Sequence, residues 1–199
     1  MFNDIDNFYD EFFSLLIDDE TYGNTIKHSI HKFEPKEYLK GYDFYTDNDK
    51  LFRYLRDNII NNEYDYFMEK MMKKYNFNIQ ECAKKLWIGE KEIKELYKQG
   101  NIIGLHSHTH PTNIIKFAKQ DQLYEYSTNK KILEDIIGEK IICMSHPCGL
   151  YNNDTLDILK HLGIKIGFRS NMVPKDNTNY EYLREDHINI LNKIKEKNI

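Results

Sequence analysis

The stretch that decides the fold is EKEIKELYKQGNIIGLHSHTHP, residues 90–111. Its first ten residues put Ile93, Leu96 and Tyr97 on one face of a 3.6-residue period, which predicts an amphipathic helix. Gly100 stands where a helix C-cap glycine is expected, since glycine enters the left-handed region without a Cβ penalty. The run IIGLHS that follows predicts a strand. The same grammar recurs twice downstream. A helix over 120–137, with Leu123, Ile132, Leu133, Ile136 and Ile137 as its apolar positions, leads to Gly138 and a strand over 140–145, KIICMS. A third helix opens at Asn153-Asp154 as N-cap candidates, runs through DTLDILKHL to Gly163, and leads to a strand over 164–169. Helices alternating with short apolar runs predict an α/β fold with a parallel sheet and right-handed crossovers. Strands must be sought here as isoleucine runs, because the chain has 25 Ile and a single Val, Val173.

In such sheets ligands bind beyond the carboxyl ends of the strands, where loops vary on a rigid support. Those ends are HSHTHP (106–111), SHPCGLYNN (145–153) and FRSNM (168–172). On a continuous strand His106 and His110 would lie about 13 Å apart at ~3.3 Å per residue, too far for one ion held by Zn–N bonds of about 2.0–2.1 Å. A turn after Leu105 would let the pair converge, and Pro111 favours an element boundary there. Spacing alone leaves two readings open, a metal pair or a polar strand end with solvated imidazoles. If the pair converges, His108 points elsewhere.

Residues 1–89 have a different grammar. Phe8–Ile17, Leu51–Ile60, Tyr64–Tyr75 and Ile79–Leu86 carry helical apolar spacing, and only FSLLIDD (13–19) and YDFYTD (42–47) could be strands. The chain therefore divides into a mainly helical region (1–89), a set of βα units (90–192) and a frayed tail (193–199).

Composition excludes several classes. Among 199 residues, 15 Tyr, 11 Phe and 1 Trp are enough for a core and rule out global disorder. Lys+Arg 28 against Asp+Glu 32 leaves a net charge of -4, with no basic excess to neutralise a phosphate backbone, so nucleic acid is not an expected partner. No run approaches the ~18 apolar residues of a membrane span. The first twenty residues are acidic where an export signal would be basic and then apolar, which predicts a cytoplasmic protein. Cys82, Cys143 and Cys148 have no CxxC spacing and fit a reducing compartment.

With these residues in view, the chain resembles the polysaccharide deacetylase family, also called the NodB-homology or carbohydrate esterase group. IIGLHSHTHP is similar to its H-[ST]-x-x-H-P metal-binding segment, MSHPCGLYNNDTLDILKHLGIKIGF to its second βα loop, and YLREDHINIL to its C-terminal strand. The matches are collinear over residues 79–191. The resemblance implies a partial or deformed (β/α) barrel of the NodB-homology type with a helical N-terminal region. It also implies a divalent metal, usually zinc, and hydrolysis of the C–N amide bond of an N-acetylated carbohydrate. Carried over by position, His106 and His110 are metal ligands and Ser107 orients their loop. Cys148 lends a backbone N–H to the oxyanion, Pro147 and Gly149 shape that loop, and Tyr151 lines the sugar pocket. Arg184 matches the arginine that pairs with the catalytic aspartate, and Asp186 the acid two residues on.

The family's opening acid motif, TFDDG, has no counterpart; the nearest string is LLIDDE. Two readings follow. In one, Asp18 is the general base and Asp19 the third metal ligand. In the other, which we favour, the opening strands are absent and residues 1–89 correspond to a helical insert. The alternative function is then a catalytically inactive or truncated deacetylase-like domain with a carbohydrate-binding or partner-dependent role. A missing first strand would expose a sheet edge, which predicts a homo-oligomer or an added segment. Elsewhere the plain readings are preferred: Cys143 in the core with Cys148 exposed, His28, His31 and His161 solvated, and Trp87 a packing anchor.

Overall fold

The computed structural model describes residues 5–40, 45–173 and 178–197 and resolves two compact units, residues 1–87 and 88–199. In the first unit the α-helices among the described residues are α1 (Ile5–Ile17), α2 (Gly23–Lys32), α3 (Asp47–Leu55), α4 (Tyr64–Lys74) and α5 (Ile79–Leu86). The predicted helical periods hold. Phe12 and Leu16, one turn apart on α1, are fully buried with Ile26, Leu55, Ile60, Phe67 and Met71. Phe12 packs its ring 5.2 Å from that of Phe52, an arrangement that adds directional attraction to burial. The FSLLIDD strand candidate is instead the end of α1 and the turn beyond it, because the Phe12/Leu16 spacing satisfies a helix and leaves no alternation. The YDFYTD candidate lies partly outside the described residues; its end, Thr46, closes a capping box with Asp49 and starts α3. Gly23 is required where α2 meets the end of α1, since a Cβ there would stand 2.3 Å from the Ile17 carbonyl oxygen.

The second unit follows the predicted repeat through α6 (Glu90–Lys98), α7 (Lys119–Ile137), β1 (Cys143–Ser145), α8 (Asn153–His161) and β2 (Ile166–Phe168), and ends in α9 (His187–Lys197), a helix where the resemblance implied a strand over YLREDHINIL, of which only Tyr182 pairs with the sheet. β1 and β2 are parallel, with Met144 opposite Gly167. Single parallel bridges extend the ladder on both sides, Leu105 to Met144 and Phe168 to Tyr182. The result is an open, four-segment parallel arrangement on an α/β plan, as expected of a partial barrel. The core is Leu105, Ile114, Tyr126, Ile141, Met144, Ile158, Leu159 and Ile164.

Two expectations need correction here. The IIGLHS strand contracts to one residue, Leu105, which exchanges both ladder bonds with β1; Ile102 is 82% exposed, so burial does not hold the earlier residues in a sheet. The tail is helical to Lys197 rather than frayed, and its described side chains are exposed.

Candidate functional site

The loop after Leu105 turns sharply enough to bring two imidazoles together. Ser107 and His110 both adopt left-handed backbone angles, φ 66° and 54°, uncommon outside glycine. The His106 and His110 ring centroids are 4.8 Å apart in consequence, far closer than an extended strand would allow. The buried Ser107 hydroxyl accepts the His110 N–H at 3.1 Å and closes the turn. His108 stands away from the pair, edge-on to Tyr124 with ring centroids 6.3 Å apart.

His106 Nδ1 lies 2.8 Å from the Ser145 carbonyl oxygen at the end of β1. That carbonyl accepts the Nδ1–H of the neutral ring, which leaves Nε2 with its lone pair. A ligating histidine is commonly oriented in this way. Partial shielding of the ring holds its pKa below the ordinary value, and the Ser145 carbonyl opposes that shift. The Arg184 guanidinium donates to Ser145 Oγ at 3.0 Å, so His106, Ser145 and Arg184 form one connected group. Arg184 also lines a cleft with Ser170, Glu185, Asp186 and His187.

The second loop begins at His146. This residue is 1% exposed, hydrogen-bonds the Tyr180 carbonyl through Nε2 at 2.8 Å, and stacks on Tyr151 with centroids 4.3 Å apart. Burial pushes its pKa down to about 4, so the ring is neutral. Burial, aided by Glu181, pushes the Tyr151 hydroxyl up to about 12. Pro147 is buried and opens a tight turn in which Cys148 is exposed at φ 53°. Gly149, at φ 67°, packs where a Cβ would stand 2.2 Å from Ser170 Oγ. Pro147, Cys148, Gly149 and Tyr151 thus occupy one loop at the end of β1.

Asp18 and Asp19 belong to the first unit. Asp18 is exposed in the turn after α1, while the Asp19 carboxylate accepts the N–H groups of Thr21 and Tyr22 at 3.0 and 3.1 Å and lies 3.9 Å from Lys70 Nζ. Among the described residues no group of three or more His, Cys, Asp or Glu side chains is placed to hold a metal ion. The convergence that the structure does show is that of the two imidazoles, with the His106 ring oriented by the Ser145 carbonyl. Trp87 is 74% exposed, which corrects the expectation of a packing anchor. His28, His31 and His161 are exposed, as is Cys148, while Cys143 sits in β1 half-buried, at the margin of the core rather than in it.

Sequence reasoning passed over Glu125, Asn129 and Gln122 on α7. The buried Glu125 carboxylate accepts the N–H groups of His108 and Thr109 and the Thr109 hydroxyl, at 2.9, 2.8 and 2.7 Å. Asn129 Oδ1 accepts the His106 N–H at 3.1 Å. A carboxylate inside an amphipathic segment reads as solvent-facing, and nothing local marks these residues.

Comparison with known proteins bears on the same stretch. The family model described as "Polysaccharide deacetylase" matches residues 49–167, more than half of the chain. His106, His110 and the 147–151 loop lie within that match; Asp18, Asp19 and Arg184 lie outside it. Curated poly-beta-1,6-N-acetyl-D-glucosamine N-deacetylases of Staphylococcus aureus, among them those of strains MSSA476 and N315, are 28% identical over 90 residues. The alignment covers 41% of this chain and 31% of the relative, so the chain spans about a third of the length of those proteins. A Streptococcus pyogenes deacetylase, PplD, in complex with acetate aligns with TM-score 0.42 and 23% identity over 55% of this chain and 51% of its own. A family 4 carbohydrate esterase from Streptomyces lividans, also with acetate, aligns with TM-score 0.38 and 16% identity over 40% and 41%. The histidine loop and the loop after β1 fall inside the matched segment, and on the extent of that match the chain belongs to the polysaccharide deacetylase family.

Proposed function

We propose that the protein is a carbohydrate N-deacetylase, hydrolysing the amide of an N-acetylated sugar with the help of a divalent cation held by His106 and His110. The observation that carries this is the converged imidazole pair with the His106 tautomer set by Ser145. Neutral imidazoles suit zinc, and such a cation supplies Lewis acidity at the amide carbonyl and a lowered pKa for water.

The remaining roles follow from the chain's own groups. Arg184, donating to Ser145, holds the end of β1 and places a fixed positive charge beside His106. The Cys148 backbone N–H is the donor proposed for the oxyanion, on a turn closed by Gly149 N–H to the His146 carbonyl and Leu150 N–H to the Pro147 carbonyl. Pro147 and Gly149 shape that turn, and Tyr151 is proposed to line the sugar subsite.

The S. aureus relatives' name suggests the first substrate to try, an N-acetylated β-1,6-linked glucosamine oligomer. Acetate release is measured with added zinc. The expected result is release lost with a chelator and lowered at least 10²-fold by His106→Ala or His110→Ala, in the range that catalytic groups contribute. Release indifferent to both variants would overturn the assignment. Saccharide binding without acetate release would point to the inactive domain.

A further inference from the structure

Helix α7 buries a polar stripe. Gln122, Glu125 and Asn129 follow one another at spacings of three and four, hence on one face. Gln122 is fully buried, Glu125 is 4% exposed and Asn129 is half-buried. A helix of this kind normally turns such side chains to water and buries aliphatic ones. Here the stripe is spent on partners outside the helix. Glu125 takes both amide N–H groups and the hydroxyl that the middle of the histidine loop offers, and Asn129 takes the N–H of His106. Gln122 anchors the same face from the other side: its amide donates to the Phe117 carbonyl at 3.1 Å and its oxygen accepts the Thr155 hydroxyl at 2.7 Å. Thr155 with Asn152 forms the capping box of α8, where the 145–153 loop ends.

The loop needs outside support. Two of its residues, Ser107 and His110, sit in the left-handed region without being glycine, a conformation that persists only where the surroundings over-determine it. Burying a carboxylate is unfavourable unless hydrogen bonds replace its water, and the three donors on Glu125 are the loop's own. We propose that Glu125 and Asn129 are positioning residues: α7 holds residues 106–109 in the turned conformation that brings the His106 and His110 imidazoles together, and so sets their affinity for a divalent cation. This rests on the metal-pair reading given above.

The test is zinc titration calorimetry on the full chain, with amide hydrogen exchange at His108 and Thr109 and thermal unfolding run alongside. Glu125→Ala is expected to weaken zinc binding about 10- to 100-fold, the range seen when groups supporting metal ligands are removed. Asn129→Ala is expected to weaken it less, and Glu125→Ala to speed exchange at both amides. Glu125→Gln keeps an oxygen that can accept both N–H groups and an amide that can donate to Thr109, so it should recover most of the affinity. Recovery by that variant separates positioning from general loss of folding, and if Glu125→Ala fails to fold, Glu125→Gln compared with Asn129→Ala carries the test. Zinc affinity within twofold of wild type in Glu125→Ala and Asn129→Ala, with unaltered exchange, would overturn the proposal. If the wild-type chain takes up no zinc, the metal-pair reading fails instead. Exchange alone then decides: faster exchange in Glu125→Ala supports the holding role, and unchanged exchange sinks it.

Discussion

The two units bury different things. In the first, buried polar residues are confined to Ser29 and Lys50 among the described residues, and the core is aliphatic and aromatic. In the second, Ser107, Gln122, Glu125, His146, Thr155, Arg169 and Glu181 are buried. Burying polar groups is tolerated only where hydrogen bonds replace water, and most of these are so paired, to loop backbone or to each other. The helical unit is held by shape and apolar area. The βα unit gives up some of that area to fix loops, and the loops it fixes are the ones at the ends of its strands.

This contrast can be broken or sharpened by mutation. The largest effect is expected in the apolar unit: Phe12→Ala removes a fully buried ring and should destabilise that unit by about 3–5 kcal/mol in denaturant unfolding. A loss below about 1 kcal/mol would mean that its core is far looser than its packing implies.

The next belongs to His146. Its folded pKa is about 4 against an ordinary 6.5, so folding favours the neutral ring. The unfolded chain takes up a proton near pH 6.5 and the folded chain only near 4, so stability is full above 6.5 and falls as pH drops through that window. The loss should reach roughly 3 kcal/mol. His106 is shifted in the same direction and steepens the slope. His146→Phe should flatten the profile between pH 6.5 and 4 in urea melts, and an unchanged slope would remove His146 from the account.

A smaller effect, of opposite sign, is expected at Tyr126, whose fully buried hydroxyl has no hydrogen-bond partner among the described residues. Tyr126→Phe should leave stability unchanged or raise it by about 1 kcal/mol, since an unsatisfied buried polar group is lost. A clear destabilisation would reveal a partner for that hydroxyl. Smallest of all is Lys73→Ala, which breaks a pair with Glu69 at 3.4 Å on the exposed face of α4 and should cost about 0.3–0.5 kcal/mol, fading with salt.

Much of this was legible in local grammar. Gly100, Gly138 and Gly163 stop three helices with φ of 90°, 77° and 75°, the conformation their positions after apolar-periodic runs foretold. The turn between His106 and His110 was one of two readings that Pro111 and the reach of an extended strand left open, and the structure decides for it. The length of IIGLHS was not, because a strand's extent depends on which neighbour supplies its ladder bonds. Trp87 departs from its expected place for a related reason: a large apolar side chain says that burial would be favourable, and says nothing about whether a neighbour is there to cover it. Glu125, Asn129 and His146 were illegible as loop supports. Their partners lie 16 to 34 residues away in the chain, and a charged or polar residue in a helical or loop segment carries no mark of the side it will face.

The residue sequence marked the alternation of helix, glycine and strand over residues 90–169, the parallel plan and the place of the histidine cluster, since these depend on periodicity, glycine conformation and short-range spacing. Tertiary structure decided how many residues the sheet retains, which polar groups are buried, and which helix face holds the histidine loop. Those outcomes turn on hydrogen bonds between segments distant in sequence, formed only when packing removes water from both partners.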